Sequence, residues 1–157
     1  SCISLILQYP EKTALVDRLT PVVAEEWSHF ERVIALLRKR GYALGFPRKD
    51  FYVSELMTVL KKGGSREQQL VEKLLMNALI EARSAERFKL LSQHLTDPEL
   101  MSFYHELMIS EAGHYRNFIE LAKVYWDPEK VEIRWKEFLS EEALIMKNLE
   151  IRSDRFH

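Results

Sequence analysis

Glu26 and His29 stand three residues apart in EEWSHFERV, and Glu111 and His114 repeat that spacing in SEAGHYRNF. On an α-helix, positions i and i+3 project from the same side, less than one turn apart. Carboxylates are hard anionic donors that can bridge two cations, and neutral imidazole adds a nitrogen donor without adding charge. Two such pairs from facing helices, joined by single glutamates from two further helices, form the di-iron or di-manganese carboxylate site of helical bundles. Glu81, in ALIEARSAERF, is the natural single glutamate between the two pairs. Glu86 competes with it from the same segment. It lies off the apolar stripe, between Arg83 and Arg87, where an ion pair suits it better.

The elements that must position these residues are amphipathic helices. In the segment after Pro21 one face carries Val22, Glu26, His29, Val33 and Leu37, with Phe30 beside it. After Ser65 the corresponding face runs Leu74, Glu81, Ala85, Phe88 and Leu95. After Asp97 it runs Tyr104, Leu107, Glu111, His114, Phe118 and Leu121. All three stripes place ionisable groups where the 3.6-residue period calls for core side chains. Burying a carboxylate unpaired costs several kcal/mol even after relaxation. Such groups persist in a core when they are paired, protonated or bound to metal.

Start and stop signals divide the chain into elements. SCISLILQY reads as the end of an apolar helix, broken by Pro10, and residues 11–19 read as a short helical stretch. Thr20-Pro21 has the form of a cap followed by proline at the first helical position, predicting a helix to about Arg40, closed by Gly41. A loop over 41–50 leads to a short helix at about 51–61. Ser65 and Gln68 have capping-box spacing and open a helix to about His94. Thr96-Asp97-Pro98 opens the next, to about Tyr125, and Asp127-Pro128 the last, to about Ile151. No strand alternation of useful length and no linker divide the chain, so residues 1–157 are expected to form a single all-α domain. The long link from Gly41 to Gly64 is a crossover, which arranges the long helices in two pairs, as in a ferritin-like four-helix bundle with extra helices.

Glu81 lies thirty residues before Glu111, and the same offset from Glu26 falls upstream of Ser1. The expectation is that the helix carrying the last ligand is largely missing from this sequence, with only its tail visible as SCISLILQY. The domain is then N-terminally incomplete.

Composition narrows the function classes. The 157 residues are 46% hydrophobic and 30% charged, a globular balance, and no apolar run approaches a membrane span. A single cysteine, Cys2, excludes an internal disulfide framework and suits a cytoplasmic location. The net charge of −1 does not by itself point to a polyanionic partner. Locally, however, eight basic residues face two acidic ones between Arg38 and Arg66. Arg38, Lys39 and Arg40, with Arg48 and Lys49 in the following loop, are candidate phosphate contacts. Cations at a helix C-terminus also favour the helix dipole, which is the plainer reading of the same residues.

EEWSHFERV, ALIEARSAERF, SEAGHYRNF and the closing RSDRFH together resemble the tRNA-(2-methylthio-N6-isopentenyladenosine) hydroxylase family of ferritin-like di-iron monooxygenases. The resemblance extends from about Leu5 to His157, and its most specific part is IEARSAERF at its distance from SEAGHY. It implies O2-dependent hydroxylation of the isopentenyl group on the adenosine beside the tRNA anticodon. The implied cofactor is two non-haem irons, held by Glu26, His29, Glu81, Glu111 and His114. The implied partners are tRNA and an external electron-donating reductase, with no membrane. Two rival readings stay open on the residues alone: a ferritin-like protein that reduces peroxide or oxidises iron, and a metal-free helical scaffold.

Overall fold

The computed structural model describes residues 1–47 and 49–148. Arg48, the C-terminal end of the expected last helix and the RSDRFH segment lie outside the described residues. Among the described residues the elements are six helices: α1 (Cys2–Gln8), α2 (Thr13–Lys39), α3 (Phe51–Val59), α4 (Arg66–His94), α5 (Pro98–Tyr125) and α6 (Pro128–Asn148). None of these helices is long and apolar enough to cross a membrane. The chain divides into two units, residues 1–49 and 50–157.

The first unit is a helical hairpin. Cys2 and Leu5 of α1, with Tyr9 just beyond it, pack on Leu15, Leu19 and Val22 of α2, and all six are buried. The expected break at Thr20-Pro21 is not there, because α2 runs unbroken through Pro21. Proline removes the amide that would bond to the carbonyl of residue 17. Asp17 and Pro21 are both exposed, so water can serve that carbonyl. The Thr20 hydroxyl donates back to the Val16 carbonyl at 2.7 Å instead of capping a new helix. The apolar face through Leu15, Leu19 and Val22 continues across the site, and its burial outweighs the single missing bond.

The helix ends as its sequence predicts. Gly41 takes φ of 76°, its amide donates to the Arg38 carbonyl at 3.0 Å, and the Tyr42 amide donates to the Leu37 carbonyl at 2.9 Å. This is the paired 5→2 and 6→1 pattern that a left-handed glycine permits.

The second unit is organised around α4 and α5, which pack along one another. Its helix starts are locally encoded. Ser65 and Gln68 form a reciprocal capping box, Asp97 accepts from the amides of Glu99 and Leu100, and Asp127 from those of Glu129 and Lys130. The first half of α4 (Leu70, Val71, Leu74, Leu75, Ala78, Leu79) is buried on several sides, because α5, α6 and α3 all pack against that helix. Phe103, Leu107, Phe118 and Leu121 from α5, Phe138 from α6 and Leu56 from α3 complete this core.

Candidate metal centre

In the second unit the apolar seam of α5 is interrupted by Glu111 and His114, which stay 6% and 4% exposed between Leu107 and Phe118. Glu81 of α4 is half-buried. Ligand atoms of Glu81, Glu111 and His114 lie within 4.8 Å of one another. Two carboxylates and an imidazole converging at that range, largely out of water, are a donor set suited to a hard or borderline divalent cation such as iron or manganese. The residues fit the metal that their spacing implies. Ser110 Oγ lies 3.4 Å from His114 Nε2, one turn earlier on the same helix, and steers the ring.

In the first unit Glu26 and His29 share a face of α2, with Oε1 and Nδ1 at 3.8 Å. His29 is the more enclosed of the two. Of the residues predicted from spacing, Glu111 and His114 are buried, Glu81 and His29 are partly covered, and Glu26 is the most exposed, its side chain 44% accessible. Glu86 does not join them: it is largely exposed and paired with Arg83, the ion pair its flanking arginines suggested.

Of the candidate phosphate contacts, Arg38, Lys39 and Lys49 are exposed and Arg40 is half-buried. Arg48 lies outside the described residues. Arg38 and Lys39 form the basic last turn of α2, so the helix dipole accounts for part of their placement.

The structure adds two buried ionic networks that the spacing arguments passed over. Glu142 of α6 is fully buried. It accepts both Nε and Nη2 of Arg83 at 2.5 Å and the Tyr52 hydroxyl at 2.6 Å. Burial, and then the Glu142 carboxylate that holds its proton, push the Tyr52 hydroxyl far above the ordinary phenol range. The bonds to Glu142 likewise raise Arg83. Arg83 is two residues from Glu81, so this network anchors the stretch of α4 that presents Glu81. In the second network Glu72 accepts Nε and Nη2 of Arg134 at 2.7 and 2.8 Å and the Lys61 amide at 2.9 Å. Arg134 also donates to the Val59 carbonyl and sits over the Phe138 ring. A signal for both was available: Val131, Arg134, Phe138 and Glu142 share one stripe of α6, so two charges interrupt that stripe as well.

Comparison with known proteins gives the family. The chain is 38% identical over 127 residues to a tRNA 2-(methylsulfanyl)-N(6)-isopentenyladenosine(37) hydroxylase of Pseudomonas putida, covering 81% of this chain and 60% of that protein. It is 32% identical over 143 residues to the Salmonella typhimurium protein of the same description, covering 91% and 51%. The chain thus spans only about half to three-fifths of the length of these relatives. Among solved structures it is similar to "Protein 43 with aldehyde deformylating oxygenase activity from Synechococcus", with TM-score 0.88, 30% identity, and coverage of 96% of this chain and 74% of that one. That likeness gives the chain the all-helical, ferritin-like architecture expected from its helix pattern. The family model described as tRNA-(MS[2]IO[6]A)-hydroxylase (MiaE) matches residues 1–157 from end to end, and the chain belongs to that family.

Proposed function

We propose that this chain carries the di-iron site of a tRNA hydroxylase, with Glu26, His29, Glu81, Glu111 and His114 as ligands to two non-haem irons. The reaction is O2-dependent hydroxylation of the isopentenyl side chain of (2-methylthio-)N6-isopentenyladenosine beside the tRNA anticodon. One oxygen atom enters a C–H bond and the other leaves as water, with two electrons from an external reductase and two protons from solvent. In this reading residues 1–157 act as one domain, and the protein works in the cytoplasm. The observation that carries it is the convergence of Glu81, Glu111 and His114 in a chain that matches the family throughout.

When bound, the irons supply the activation of O2 that an unactivated C–H bond requires. The chain's own residues do the rest. Glu111 and His114, which would hold the metal, are fixed by the packed middle of α5, and Ser110 Oγ lies beside His114 Nε2 and helps to hold the imidazole. Leu107, Phe118 and Leu121 wall that part of α5 with apolar surface and exclude water from the reacting centre. Arg38, Lys39, Arg40, Arg48 and Lys49 contact tRNA phosphates and set orientation rather than chemistry.

The direct test is mass analysis of tRNA nucleosides after incubation of isopentenylated tRNA with the full-length protein, iron, O2 and a reductant. A product heavier by one oxygen atom is expected, and its absence in the presence of bound iron removes the hydroxylase reading. The likeness to an aldehyde deformylating oxygenase favours a second reading, oxygenation of a small apolar substrate. A medium-chain aldehyde offered in parallel separates the two.

A further inference from the structure

The first unit contains a cavity of about 670 Å³ along the flank of α2, closed on its other side by the chain that follows the helix. Trp27, Phe30, Ile34 and Leu37 form one wall, Tyr42 the other, and Arg38 stands at the rim. These are not core residues: Trp27 is 60% exposed, Phe30 43% and Tyr42 66%. Trp27 and Phe30 are already arranged as a tilted pair with centroids 5.7 Å apart. Tyr42 is held opposite them by the glycine turn, since its amide is bonded to the Leu37 carbonyl and Gly41 supplies the positive φ.

The electrostatics select the occupant. No carboxylate occurs between Val33 and Lys49, while Arg38, Lys39 and Lys49 are exposed along this stretch. Among the described residues that line the cavity, Glu31 alone is acidic. An apolar peptide helix needs the aromatic faces but has no use for a cationic rim. A strand of RNA uses both, because unpaired bases stack on aromatic rings while the backbone phosphates meet arginine and lysine. The cavity volume lies within the 300–1,000 Å³ that ordinarily receives a nucleotide-sized ligand. A base amino group can donate to Glu31.

We propose that this groove is a base-stacking subsite for single-stranded RNA, holding a nucleotide of the anticodon loop. The proposal rests on the tRNA reading above and adds the residues that would grip the loop: Trp27, Phe30 and Tyr42 by stacking, Arg38 by its phosphate.

The test is equilibrium binding of a labelled anticodon stem-loop RNA to the full-length protein, read by fluorescence anisotropy, which needs neither iron nor turnover. Tyr42→Ala is expected to weaken binding about ten-fold or more, within the range for removal of one base–aromatic stack. Tyr42→Phe, which keeps the ring, is expected to stay within about two-fold of the parent. Phe30→Ala should weaken binding further. The dependence of affinity on salt should be unchanged in all three, because every phosphate-binding cation is retained. Equal affinity of Tyr42→Ala and the parent overturns the proposal. So does protection of Trp27 from acrylamide quenching in the RNA-free protein, read with Trp126→Phe and Trp135→Phe, since a polypeptide segment would then fill the groove. Ring-dependent RNA binding without a hydroxylated nucleoside would remove the proposed reaction and leave the subsite standing.

Discussion

Glu72→Gln and Glu142→Gln make the same chemical change in two buried carboxylates, and the structure says they will not cost the same. Each glutamate receives a two-pronged arginine bond, and glutamine preserves volume, so no cavity term enters. What disappears is the negative charge, and one prong becomes donor facing donor. The difference lies in the arginine left behind. Each arginine keeps a carboxylate beside it, Glu137 for Arg134 and Glu86 for Arg83, but Arg134 is only 2% exposed and cannot turn to water, whereas Arg83 is 35% exposed and can. Breaking a fully buried pair costs about 3–5 kcal/mol. Where the surviving charge can hydrate, the cost falls toward that of the charge-assisted bonds alone, about 1.5–3 kcal/mol, discounted again for solvent screening. We expect Glu72→Gln to cost about 3–4 kcal/mol and Glu142→Gln about 1–2 kcal/mol. For a chain of this size that is roughly 10 °C against roughly 4 °C in Tm. Urea and thermal unfolding of the two variants measure it. A companion pair, Glu72→Leu with Arg134→Met, should recover about half of the Glu72→Gln deficit, since no buried charge is then left unpaired and only the Lys61 amide and the Val59 carbonyl lose a partner. Equal costs, or a larger one for Glu142→Gln, would refute the argument that arginine exposure sets the penalty.

His114→Ala in full-length protein should lower bound iron per chain and the associated ultraviolet absorbance while leaving helix content within a few per cent of the parent. Unchanged iron stoichiometry would take His114 out of the ligand set. Neutralising Arg38, Lys39 and Arg40 to Gln should reduce the slope of log affinity for tRNA against log salt by about 0.7–0.9 for each phosphate no longer neutralised, and an unchanged slope leaves these residues to the helix dipole alone. The Tyr52 hydroxyl is raised above its unfolded value. Its contribution is therefore complete below pH ~10 and is lost as pH rises beyond that, because the unfolded chain ionises first. Stability measured between pH 9 and 12 should fall more steeply in the parent than in Tyr52→Phe, and parallel curves would show that Tyr52 does not couple to folding.

The features legible in the sequence were those whose partners lie within one turn. Ser65 with Gln68, Asp97 before Pro98 and Asp127 before Pro128 all start helices in the structure as their spacing predicts, since a cap is satisfied by amides two or three residues away. Thr20-Pro21 shows the same local signal and starts nothing. There the outcome was decided by the buried face through Leu15, Leu19 and Val22, packed on α1, which no three-residue window contains.

The site divides along the same line. A glutamate in an apolar stripe says only that something must meet its charge, and periodicity gives the side of the helix but not what lies across from it. Glu111 and Glu26 each have a histidine three residues on, a second candidate donor on the same element. Glu81 and Glu142 lack that local help and look alike in sequence, each a carboxylate among leucines and alanines. One converges with Glu111 and His114, the other with an arginine and a tyrosine 59 and 90 residues away. Local spacing thus separates a candidate metal ligand from half of an ion pair only when the second donor lies on the same helix. Otherwise the distinction belongs to tertiary packing, and for Glu81 it came from the two pairs on either side of it.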